Sequence, residues 1–206
     1  MSAIPWTYEA RPDTRTTNVR VGIWLFLASE TMLFGSLFSG YVLLRAGAES
    51  WPKSDAFLDV RSALVNTALL AVASLLLLVS SRKNGRTRGD APAGKVVEGP
   101  GFSSGASLYA SAAIAVVFLA SKIIEYRVKL AAGQPPALNL LLACWFTLTF
   151  VHALHVGAGA AANVWLATGR SRLNAAHFAE RCHALRLYWY FVDLVWIAIL
   201  IAFYFI

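Results

Sequence analysis

The stretch from Val21 to Arg45, VGIWLFLASETMLFGSLFSGYVLLR, constrains this chain more than any other. It is apolar over more than the roughly 20 residues that a helix needs to cross about 30 Å of hydrocarbon. Near its middle it carries one carboxylate, Glu30. A charge at bilayer depth costs several kcal/mol unless it is paired, hydrated or protonated. Two readings follow: Glu30 is a functional group, or it is a neutral, hydrogen-bonded acid that pins helices together.

The rest of the chain repeats the pattern. Of 206 residues, 58% are hydrophobic and 14% charged, and the mean hydropathy is +0.58. That exceeds the apolar share of ordinary soluble domains and leaves almost nothing for one. The expectation is an all-α, polytopic membrane bundle, a single membrane domain over 1–206, with spans near 19–45, 60–81, 105–130, 138–168 and 185–206. The first run is too long for a cleavable signal and lacks a small-residue cleavage site after it, so it is expected to stay as a span.

Turn chemistry separates the spans. Met1 to Arg20 reads as a surface tail with Trp6 and Tyr8 at headgroup level. Gly47 to Lys53 closes the first span, residues 82–104 read as a flexible Gly-, Pro- and base-rich loop, and Gln134-Pro135-Pro136 breaks the chain before the fourth. A second basic loop is expected over Gly169 to His183.

Five spans put the termini on opposite sides, and basic residues distribute unevenly between the two faces. Twelve (Arg11, Arg15 and Arg20; Arg82, Lys83, Arg86, Arg88 and Lys95; Arg170, Arg172, Arg181 and Arg186) fall on the side of the N-terminus, against five on the other. The positive-inside rule then makes the N-terminus cytoplasmic and the C-terminus exoplasmic. Cys144 and Cys182 fall at opposite depths, too far apart for a disulfide.

Other polar residues interrupt the spans. Lys122 and Glu125 share a helix face at i and i+3 and are expected to pair close to the interface. His152 and His155 project to one face, open to ligation or to interhelical hydrogen bonds. Gly157 to Ala162 lets another backbone approach, which makes span four the expected packing core. Asp193 is a second intramembrane acid, read as hydrogen-bonded to a neighbour or as a proton relay. Tyr188, Trp189, Tyr190, Trp196 and Tyr204 read as lipid-facing or packing groups. No nucleophile-base pair, phosphate loop or nicotinamide fingerprint is visible.

Four segments together resemble subunit III of the haem-copper oxidases, in its short five-helix form. They are GIWLFLASETMLFG from Gly22 to Gly35, the Glu125-Tyr126 pair, FVHALHVGAG from Phe150 to Gly159, and YWYFVDLVWIAIL from Tyr188 to Leu200. The resemblance implies a cofactor-free accessory subunit of a bacterial inner-membrane respiratory complex. Its partners would be the catalytic subunit I, which bears haem and copper, reduces oxygen to water and pumps protons, and subunit II. It implies two helix groups, the first two and the last three, with phospholipids in a V-shaped cleft between them. Glu30 falls on the family's carbodiimide-reactive glutamate, His152 and His155 on its histidine pair, and Asp193 on its last-helix aspartate. The lipid-cleft or interhelical contacts would then come from Glu30, His152, His155, Glu125 and Trp189.

Three positions depart from the family pattern: Tyr190 where histidine is common, His183 where glutamate is common, and Lys122 where glutamine is common. They leave room for a close relative, the subunit-III-like partner of some nitric oxide reductases. An independent transporter or proton channel is the reading from a different class, against which stands the lack of an internal repeat and of paired broken helices. A haem-binding membrane anchor is the third.

Overall fold

The computed structural model describes residues 17–86, 105–169, 173 and 175–205. Five helices in it are long and apolar enough to cross a membrane: α1 (Asn18–Gly47), α2 (Val60–Arg86), α3 (Gly105–Ala131), α4 (Leu140–Gly169) and α5 (Ala175–Leu200), the last continuing as a π-helical turn over Ile201–Phe205. No strand occurs among the described residues. A helix satisfies its backbone within the segment, which hydrocarbon demands.

Local chemistry sets the ends. Thr17 caps α1, its hydroxyl accepting from the Arg20 N–H at 3.3 Å. Asn139 caps α4 through Leu142 N–H at 2.8 Å, and Asp59 accepts from Arg61 N–H at 3.0 Å where α2 begins. Gly133, at φ 69°, terminates α3 while Gln134 N–H bonds back to the Lys129 carbonyl at 2.9 Å. Only a residue without Cβ takes that left-handed position without strain.

Two boundaries differ from the sequence reading. α5 starts at Ala175, so most of the expected basic loop is helical. The reason is visible at Glu180, which accepts from the Thr17 hydroxyl at 2.8 Å and pairs with Arg20 at 3.2 Å, tying the first turns of α5 to the start of α1. α2 runs on to Arg86, into the segment read as a loop. The remainder of that loop and the tail with Trp6 and Tyr8 lie outside the described residues.

The helices do not divide into a first pair and a last three. Instead α2, α3, α4 and α5 close a ring in which each packs on two neighbours, and α1 lies outside it against α5 and α4. Shape and polarity explain the difference. α2 turns Ala63, Asn66, Leu70, Ala73 and Ser74 inward, all buried, and Thr67 accepts a hydrogen bond from the Trp196 indole at 2.9 Å. α1 offers mostly large apolar residues such as Leu25, Met32 and Leu43 to the surroundings.

Candidate functional site: an acid and imidazole between two helices

Glu30 meets His155 where α1 crosses α4. Glu30 Oε2 lies 2.9 Å from His155 Nε2, and His155 Nδ1 lies 2.8 Å from the Val151 carbonyl one turn back. A carbonyl oxygen only accepts, so Nδ1 carries a proton and donates it there. Nε2 then shares one proton with Glu30. The pair is either carboxylic acid with neutral imidazole or carboxylate with imidazolium, and it is neutral overall in both. That satisfies a membrane interior at little cost while leaving a transferable proton in place.

The surroundings fix this geometry. Phe34 stands 5.0 Å from the His155 ring centre, and the Tyr188 hydroxyl donates to the His155 carbonyl at 2.8 Å. Both side chains are mostly covered, with 16% of Glu30 and 15% of His155 exposed. Toward the N-terminal end of α1 lies a separate apolar groove of about 350 Å³, walled by Ile23, Phe26, Ala158, Ala162 and Trp165 and bounded by Tyr188; neither Glu30 nor His155 lines it. At its mouth the Arg181 guanidinium sits 5.1 Å from the Trp165 ring centre.

The other sequence-singled residues occupy different places. His152 is completely buried in the ring, 5.3 Å from Trp196 and 5.9 Å from Phe118 by ring centres, so the two histidines of one motif serve separate sites. Asp193 faces Ser74 of α2, with its Oδ1 buried and without a protein partner among the described residues. Trp189 is buried and donates to Asn163 Oδ1 at 3.2 Å, an interhelical contact inside the ring. Glu125 pairs with Lys122 at 2.7 Å, and the pair is enclosed by the protein: Lys122 is 1% exposed, wedged against Trp145 and Trp196.

Sequence reasoning missed Asn163, whose amide also reaches Ser111 at 3.2 Å, and Asn66. A lone amide in an apolar run was the available signal. Cys144 and Cys182 form no disulfide with each other. Among the described residues no three of His, Cys, Asp and Glu gather in a way that would hold a metal ion.

A five-helix membrane bundle with an acid–imidazole pair between its first and fourth helices is the class these observations define. The family model of cytochrome c oxidase subunit III matches residues 91–206. The chain belongs to that family. Among relatives, cytochrome bo(3) ubiquinol oxidase subunit 3 of Pseudomonas aeruginosa is 29% identical over 191 residues, 88% of this chain and 82% of that protein. Cytochrome c oxidase subunit 3 of Corynebacterium diphtheriae is 32% identical over 199 residues, 93% and 90% of the two chains. A haem-copper oxidase subunit I+III of Aeropyrum pernix is 26% identical over 187 residues, 87% of this chain but 22% of that longer protein.

Proposed function

We propose that this chain is the accessory subunit III of a haem-copper terminal oxidase in a bacterial inner membrane. It docks on subunit I, which with subunit II carries the haem and copper, and contributes no cofactor of its own. Family membership carries this reading, and a relative whose name joins subunits I and III in one protein supports the choice of neighbour. The N-terminus is cytoplasmic, on the strength of the twelve-to-five distribution of basic residues. In aerobic turnover the subunit supports proton uptake and the stability of its catalytic partner.

Glu30 and His155 are the residues for that support. A single shared proton, placed between α1 and α4 on side chains that are 16% and 15% exposed, is available for exchange. The groove itself suits a phospholipid, with acyl chain against Ile23, Phe26 and Ala162 and phosphate at Arg181. Arg181→Ala is expected to reduce the phospholipid that co-purifies with the complex, measured by mass spectrometry of its lipid extract. An unchanged lipid content would remove the assignment.

Glu30→Gln should keep assembly intact, because the amide donates to the same Nε2 that the acid met. It should alter proton uptake or shorten activity during sustained turnover, without abolishing oxygen reduction. Oxygen consumption by the purified, fully assembled complex tests this. Complete loss of activity in that complex would contradict the accessory role.

A further inference from the structure

The centre of the four-helix ring holds polar atoms that no described residue satisfies. His152 and Asn66 are each 0% exposed, yet both imidazole nitrogens and both amide atoms lack a partner among the described residues. They lie in one layer. Thr67, next to Asn66, accepts from the Trp196 indole, and that indole stacks on His152. Lys122 reaches the same ring, its Nζ 4.7 Å from the Trp196 centroid.

Leaving a buried donor or acceptor unmade costs about 1–3 kcal/mol each, so four such atoms in one layer would consume much of a domain's stability. They require a partner. No neighbouring subunit can supply it, because both residues are enclosed within this one chain. What fits is a small group that both donates and accepts, since Asn66 presents one of each and His152 does so in either neutral tautomer. Water is that group.

Between α2 and α3 lies an open groove of about 500 Å³, whose polar wall is Asp59, Ser62, Ser121, Glu125 and Lys129 and whose remaining wall is exposed apolar side chains of α3. It sits toward the end of the bundle that carries Phe57, whose carbonyl accepts from Lys129. Glu125 lines that groove while reaching inward: Oε2 holds Lys122, and Oε1 is buried without a partner among the described residues. We propose that ordered water runs from this groove past Oε1 of Glu125 to His152 and Asn66, forming an internal hydrated half-channel beside the Lys122–Glu125 contact. The Trp189–Asn163–Ser111 layer, whose polar atoms bond to one another, stays dry.

X-ray hydroxyl-radical footprinting on the full complex in nanodiscs tests this, because radicals arise from water in place and label the side chains beside it. Trp196 and His152 are expected to label about fivefold or more faster than Trp189, although both tryptophans are 1% exposed. Ser121→Phe, which fills the groove without touching the ring centre, should bring Trp196 and His152 down to the rate of Trp189. Equal rates for Trp196 and Trp189 in the natural chain would overturn the internal water, and that comparison needs no variant to fold. Undiminished labelling in a folded Ser121→Phe complex would overturn the route.

Discussion

Lys122→Met, which keeps the length of the side chain and removes its charge, is expected to destabilise the folded chain by about 3–5 kcal/mol. The ammonium and the Glu125 carboxylate are 2.7 Å apart, with side chains 2% and 11% exposed, so solvent screens the pair little. Removing one partner leaves the other charge uncompensated in the interior. Removing both does not. Lys122→Met combined with Glu125→Leu should recover most of the loss, since a buried pair and a packed apolar pair of similar volume differ little in stability. A residual deficit of about 1 kcal/mol is expected from the lost contacts between the ammonium and the rings of Trp145 and Trp196. Unfolding of the purified subunit in mixed micelles, followed for parent, single and double variants, measures all three. A single variant as stable as the double would sink the argument.

The pair also shows where the sequence was legible and where it stopped. Its i, i+3 spacing announced a contact, and the contact exists. Its surroundings were not legible, because the rings of Trp145 and Trp196 that enclose Lys122 come from α4 and α5, which the sequence of α3 does not name. The five spans were readable for the converse reason: about 20 apolar residues have few alternatives to a membrane helix. Glu30 and His155 were each conspicuous as polar groups in apolar runs. Their meeting was not, since 125 residues separate them and only the packing of α1 on α4 joins them. The start of α5 failed similarly. Residues 175–184 are too polar to read as a span, and the Thr17, Arg20 and Glu180 contacts that order them come from the far end of the chain. The grouping implied by resemblance failed on packing detail: small and polar residues of α2 face α3 and α5, and nothing in α2's own composition names its neighbours.

Gly159→Val should have the second large effect, and it should reach the acid–imidazole site from a distance. A Cβ at Gly159 would stand 3.0 Å from Tyr188 Cε1 and 3.1 Å from Trp189 Cζ2, so even one added carbon crowds two rings of α5. A branched side chain forces them away. Overpacking of this kind costs about 1–3 kcal/mol, and displacement of two buried hydrogen bonds adds to it, for a total of about 2–5 kcal/mol. The bonds at stake are Tyr188 to the His155 carbonyl, 2.8 Å, and Trp189 to Asn163, 3.2 Å. Gly157, one turn-fraction away, meets only a leucine methyl at 3.8 Å, so Gly157→Ala should be nearly silent and serves as the control. Thermal stability of the two variants in the assembled complex reads the difference. Because Tyr188 helps hold the backbone that carries the imidazole, Gly159→Val should also reproduce part of the turnover defect of Glu30→Gln even in the fraction that stays assembled. A Gly159→Val complex with parental stability would mean that α4 and α5 are free to separate, contrary to the close approach on which this interface rests.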